Sequence, residues 1–171
     1  MAHYRATVES RSPAAETFSY LATFSNAAEW DPGVLAGEQL DARPLGPGSR
    51  FRLKVPFLGA RMSLTYEVIS FVPDREVLLR AANGVLRSTD RIAVTGATDG
   101  STVSYDAEVR LRGPLQVLDP LLRPGFRVVA ERAAAGLADA LSRRPPGRGT
   151  RTPSAVPAPS DGAAKPAGGR P

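Results

Sequence analysis

From Arg50 to Phe57 the chain alternates: Phe51, Leu53, Val55 and Phe57 are apolar, while Arg50, Arg52 and Lys54 are cationic. A period of two puts one set on a core and the other in water, which predicts a half-buried strand. The same pattern marks residues 4–8, where Tyr4, Ala6 and Val8 oppose Arg5, Thr7 and Glu9. Further strands are predicted over 34–41, 49–57, 61–72, 76–82, 86–95 and 101–112. The turn signals "PDR", "NG" and "TDGS" separate the later ones. Connections this short join antiparallel neighbours.

Helical signals flank these strands. Ser12 as N-cap, Pro13 at the first helical position and Glu16 in the first turn predict a helix with Phe18, Leu21 and Ala22 on one face. A second short helix opens at Ser25 or Asn26 and ends at "DPG", with Asp31 capping the turn. After Gly113 the period becomes helical again. Phe126, Val129, Ala130, Ala133, Leu137 and Leu141 form one stripe, with the i,i+4 pairs Arg127/Glu131 and Asp139/Arg143 outside it. Pro120 and Pro124-Gly125 predict a break or kink in the first turns, leaving a short mobile apolar segment before a long helix. The sum is a two-layer α+β body, an antiparallel sheet with one main helix across its apolar face. The small residues Ala130, Ala133, Ala134 and Gly136 on that helix cannot fill a wide concavity, so part of the space is expected to remain a cavity.

Composition narrows the chemistry. At 171 residues the chain suits one domain with an appendage, able to hide roughly 70% of its unfolded surface. It has no cysteine, which excludes disulfides, thiolate nucleophiles and Cys-based zinc or iron–sulfur sites. The lone histidine, His3, stands at the N-terminus, a poor position for a catalytic triad or a His-rich metal site. Neither GxGxxG nor another Gly-rich phosphate loop is present, "GPGSR" reads as a turn, and no carboxylate pair for glycoside hydrolysis can be assigned. Neither metal nor cofactor is expected. The segment "MAHYRATVES" has no apolar h-region, and no run approaches the ~20 apolar residues of a membrane span, so a cytoplasmic protein is expected. Arginine outnumbers lysine 20 to 2, a coding bias that suggests a GC-rich bacterial genome.

The net charge of +5 invites a nucleic-acid reading until it is located. Residues 143–171 hold six Lys/Arg and one acid, Asp161, leaving 16 basic and 16 acidic residues in the remainder. The excess therefore belongs to a tail that also carries seven of the 16 prolines. Such a segment cannot bury enough surface to offset its ordering entropy, so the chain divides into a domain over 1–142 and a disordered basic tail over 143–171. No aromatic residue interleaves the tail's charges, which removes the platform for base stacking. A specific nucleic-acid partner is not expected, and weak contact with anionic surfaces is left to the tail. The sequence carries no sign of oligomeric state.

The inward face follows from alternation: Phe51, Leu53 and Val55, then Leu64 and Tyr66, Leu79, Ser88 and Asp90, and Tyr105, facing Phe126 and Val129 of the helix stripe. Its polar members carry the candidate chemistry, because buried polar groups need partners in the protein or on a ligand. Asp90 among apolar walls would have a raised pKa and serve as acid or base, with Tyr66 and Tyr105 as weaker candidates. The alternatives are an ion pair with Arg52, Arg80, Arg87 or Arg91, or a one-residue slip that turns Asp90 outward. Arg80 has the opposite ambiguity: with Leu78 and Arg80 inward in place of Val77 and Leu79, it becomes a cavity cation able to hold a carboxylate or enolate. The only tryptophan, Trp30, sits beside the "DPG" turn, where it packs on Phe24 and the strand at 34–41 or meets a ligand.

Several segments together carry a family resemblance: "SRSPAAETFSYLATFSNAAEWDPGV", "GPGSRFRL", "YEVISFVPDREVLLR", "GSTVSYDAEVRLRG" and the terminal helix. In this order they resemble the START-like, or SRPBCC, superfamily, and in particular its polyketide cyclase/dehydrase-like branch, over roughly residues 3–142. The resemblance implies a helix-grip fold, a seven-stranded antiparallel sheet wrapped around the long C-terminal helix with a hydrophobic cavity between them. It also implies that Trp30 borders the cavity mouth and that the partner is a small or medium hydrophobic molecule, lipid-, sterol- or polyketide-like. Family members include carriers and enzymes of aromatic ring closure and dehydration. The leading expectation is therefore a binding domain, followed by a cyclase/dehydratase using Asp90, Tyr66, Tyr105 or Arg80, and then an interaction protein or chaperone using the tail.

Overall fold

The computed structural model describes residues 1–57 and 59–144, with the backbone alone at 118, 119 and 121–124. The predicted alternation becomes seven strands: β1 (Ala2–Ser10), β2 (Ala36–Gln39), β3 (Arg50–Phe57), β4 (Ala60–Val72), β5 (Glu76–Ala82), β6 (Leu86–Ala97) and β7 (Gly100–Leu111). They form one antiparallel sheet in the order β1-β7-β6-β5-β4-β3-β2. Strand β2 is shorter than predicted. A bulge between Val68 and Ser70 offsets β4 against β5.

Helix α1 (Ala14–Ala22) is capped by Pro13, one residue later than expected, and the Pro13 carbonyl accepts the Thr17 N–H at 3.0 Å. Ser12 instead belongs to a buried hydroxyl cluster. There Ser101 Oγ lies 2.9 Å from both the Ser12 carbonyl and Thr17 Oγ1, and Ser10 Oγ lies 3.0 Å from Thr17 Oγ1. These bonds tie the β1–α1 corner to β7. A 3₁₀ turn at Phe24–Asn26 leads into α2 (Ala27–Trp30).

The sheet faces α3 (Asp119–Arg143), which follows a 3₁₀ turn over Gly113–Leu118. The expected break at Pro120 and Pro124 does not occur; the helix is continuous. Pro120 falls in the first turn, where its N–H has no helical acceptor, and Pro124 forgoes a single bond. Both predicted i,i+4 pairs form, Arg127 with Glu131 at 2.8 Å and Arg143 with Asp139 at 2.7 Å. Gly136 sets how closely the helices approach, since a Cβ there would collide with the Trp30 carbonyl oxygen. The packed chain reaches past residue 142, because Arg144 lays its guanidinium 3.7 Å over the Tyr20 ring. The rest of the expected tail, from 145 onward, lies outside the described residues.

Among the described residues no helix is long and apolar enough to cross a membrane.

Candidate functional site

The inner face of the sheet is filled at one end and hollow at the other. Phe18, Leu21, Phe51, Leu79, Ile92, Leu137 and Leu141 are buried at the filled end. Toward the start of α3 the small residues Gly125, Ala130 and Ala133 interrupt the stripe, and a cavity of about 390 Å³ opens between helix and sheet. Its walls come from the C-terminal half of β3 (Leu53, Val55, Phe57), the N-terminal half of β4 (Met62, Leu64), β6, β7, the α2 segment, and Phe126 and Val129 of α3. Small side chains facing the sheet's large ones leave the space, as the sequence pattern anticipated.

One polar cluster lines this cavity. Asp90 is 3% exposed, and its oxygens accept the Tyr105 hydroxyl at 2.6 Å and the Ser88 hydroxyl at 2.9 Å. The Tyr66 hydroxyl also stands beside Asp90 and Ser88 and bonds the carboxylate. Sheet register explains the convergence. Tyr66 pairs with Ala81 and Ala81 with Ser88, so a methyl group on β5 lets the ring reach across to β6. Asp90 pairs with Ala107, another small neighbour, while Tyr105 reaches it diagonally from its own partner Ile92.

Burial raises the Asp90 pKa to about 6, against the opposing bonds from Tyr105, Ser88 and Tyr66, with the charge of Asp31 adding to the rise. Burial, then the Asp90 charge, pushes the Tyr105 and Tyr66 hydroxyls well above the ordinary phenol value. Both tyrosines thus remain phenols and hydrogen-bond donors to Asp90. The ion pairs weighed for Asp90 do not form. Arg52 and Arg91 are exposed and pair with Glu38 and Glu76, and Arg87 is exposed. The register slip does not occur either.

Trp30 is 3% exposed, borders the cavity and meets the Tyr105 ring edge-on with centroids 5.7 Å apart, while Phe24 packs on Tyr66 instead. Its Nε1 is buried without a hydrogen-bond partner among the described residues. Asp31 does cap the "DPG" turn, accepting the Gly33 N–H at 2.7 Å, yet it also lines the cavity. Burial raises its pKa, against the bond from Gly33.

Of the residues expected around a ligand, Trp30, Leu53, Val55, Leu64, Tyr66, Ser88, Asp90, Tyr105, Phe126 and Val129 line one cavity. Phe51 and Leu79 do not; they face the same side but lie in the filled end. Arg80 is corrected: it is exposed, on the outer face opposite Glu67, because Val77 and Leu79 take the inward positions. Asp31 was legible only as a turn residue, since "DPG" accounts for an aspartate fully. Among the described residues no group of three or more His, Cys, Asp or Glu is placed to hold a metal ion.

Comparison with known proteins agrees with this architecture. The model of a family described as polyketide cyclase / dehydrase and lipid transport matches residues 1–143. Among solved structures, a START superfamily protein from Mycobacterium smegmatis superposes with a TM-score of 0.67 at 16% identity, covering 82% of this chain and 97% of that one. The Zhui aromatase/cyclase from Streptomyces sp. R1128 gives 0.64 at 17% identity, over 81% of this chain and 90% of its own. The di-domain aromatase/cyclase BexL gives 0.63 at 17% identity over 84% of this chain, which spans 50% of that protein. At such identities the likeness is one of fold. No curated protein sequence matches the chain.

Proposed function

The chain belongs to the polyketide cyclase/dehydrase and lipid transport family, and from that premise we propose that it binds a small or medium hydrophobic molecule between sheet and α3. The observation that carries this reading is the cavity of about 390 Å³, walled mainly by aliphatic and aromatic side chains with one convergent polar cluster. Apolar walls supply affinity by removing ligand surface from water, and a few placed polar groups orient it. The lining residues from Trp30 to Val129 are the proposed contacts. Trp30 provides the test, because the only tryptophan borders the cavity. Titration with sterols, aromatic polyketides and long-chain lipids should shift its emission saturably for at least one class, and mass spectrometry should recover a hydrophobic molecule from the purified protein. If no class binds and nothing is recovered, the reading fails.

A second reading, a cyclase/dehydratase, is favoured by Asp90 alone. A carboxyl with a pKa of about 6 holds and releases a proton near neutral pH, and the 2.6 Å bond to Tyr105 gives that proton a route toward the cavity. In this reading Asp90 is the acid–base group and Tyr105 the relay: once Asp90 is protonated its O–H turns to the Tyr105 oxygen, and the phenol proton is free to pass to substrate as the carboxyl proton replaces it. Asp90→Asn separates the two readings. It should leave binding within about tenfold, which is 1.4 kcal/mol, whereas an enzyme would lose roughly 10²–10⁴ in turnover of a poly-β-ketone surrogate.

A further inference from the structure

Among the described residues the charged groups of the cavity are all of one sign. Asp31 stands in the α2–β2 loop and Asp90 on β6, while no lysine, arginine or histidine is among the described residues that line the space. The cations of the neighbouring strands point elsewhere: Arg52 and Arg91 are engaged by acids on the outer face, and Arg80 and Arg87 are exposed. Asp90 takes its bonds from hydroxyls. Asp31 uses Oδ1 on the Gly33 N–H, and its second oxygen takes no bond from a described residue. An anion entering this space would leave water to meet two carboxylates and no counter-charge from a described residue, which is costly. A hydroxyl would meet an open acceptor. We infer that the cavity selects an uncharged apolar molecule whose polar groups donate hydrogen bonds, a phenol or alcohol, and rejects carboxylates such as fatty acids. This rests on the cavity being a ligand site.

The test uses a matched set with one fluorescent skeleton: anthracene, 9-anthracenemethanol and 9-anthracenecarboxylate, titrated into the full chain at pH 8, where the ligand carboxylate is ionised. The alcohol should bind at least about tenfold tighter than the carboxylate, and tighter than anthracene. Asp31→Asn retains the side-chain oxygen that caps the turn but replaces the open acceptor with a donor. It should therefore strengthen carboxylate binding and weaken alcohol binding. Asp90→Asn, remote from that turn, should strengthen carboxylate binding as well. Carboxylate binding as tight as alcohol binding overturns the inference and leaves the ligand-site reading intact. An alcohol no better than anthracene overturns the donor requirement. If no member of the set binds while the protein remains folded, the site reading itself fails for this ligand size and the inference falls with it.

Discussion

The two ends of the inner sheet face are built from the same strands, yet each does something different with a buried polar cluster. At the filled end the hydroxyls of Ser10, Thr17 and Ser101 satisfy one another and the Ser12 carbonyl. Every member is neutral at any ordinary pH, so the cluster fixes a corner and nothing more. At the hollow end Ser88, Tyr66 and Tyr105 surround Asp90, a group that ionises, beside a space large enough for a ligand. Hydroxyl donors lower the cost of the buried charge without cancelling it, as an arginine would. Burial alone therefore does not distinguish a structural polar cluster from a chemical one. A titratable member and an adjoining void do.

The comparison breaks most sharply on side-chain truncation. Phe51 is 0% exposed in the filled end, where neighbours cannot collapse into the gap. Phe51→Ala should cost about 3–5 kcal/mol, read as a lower midpoint in urea at unchanged slope, with the fold of surviving protein intact. A loss below about 1 kcal/mol would mean that this end is as loosely packed as the other.

Next in size is the pH dependence carried by Asp90. Its pKa rises from 3.8 to about 6 on folding, so between those values the folded chain keeps a proton that the unfolded chain releases. Stability is thus highest below the unfolded pKa and falls as pH rises through the window, by about 3 kcal/mol for a shift of this size. Asp90→Asn should remove that fall. Asp106, which burial pushes up but the bonds and charges of Arg5 and His3 together bring below the ordinary value, contributes with the opposite sign. It is present in both proteins and cancels in their difference. Parallel stability–pH curves for wild type and variant would show that Asp90 is not buried in charged form.

How much of this was legible in the sequence depends on which question the pattern answers. Alternation reports the face of a sheet, and it put Asp90, Ser88, Tyr66 and Tyr105 inward correctly. It does not report position along the strand, so Phe51 and Leu79 were grouped with Leu53 although they lie in the filled half. In β5 the run Val77-Leu78-Leu79 does not alternate at all, which left Arg80 ambiguous until β4 and β6 fixed the register. The cavity itself was legible from the small stripe on α3. Asp31 was not, because a turn role and a cavity role leave the same local sequence.

Smaller in stability but large in binding is the effect of filling the void. Ala133 is buried against the cavity, so Ala133→Leu adds side chain into empty space, whereas Ala22→Leu, at a position 0% exposed in the filled end, adds it where none remains. The first should shift stability by less than about 1.5 kcal/mol and abolish the ligand response of Trp30. The second should cost about 1–3 kcal/mol and leave the response in place. Equal costs at both positions would mean that the void closes in solution.

The smallest expected effect concerns where the domain ends. The sequence put the boundary at residue 142, but Arg143 extends α3 with an ion pair to Asp139, and Arg144 stacks on Tyr20, whose hydroxyl donates to Glu29 at 2.9 Å. A cation over an aromatic face at an exposed site contributes about 0.5–1 kcal/mol, and an exposed i,i+4 pair about 0.3–0.5 kcal/mol. A chain ending at Arg144 should therefore match the full-length protein in thermal midpoint. One ending at Ser142 should fall a few degrees below both, given that 1 kcal/mol moves a domain of this size by roughly 2–8 °C. High salt should narrow the gap by screening the ion pair, while the stacking contribution persists. Two truncated chains with the same midpoint would place the boundary back at 142, and a chain ending at Arg144 that is itself much less stable would mean that residues beyond it contribute to the fold.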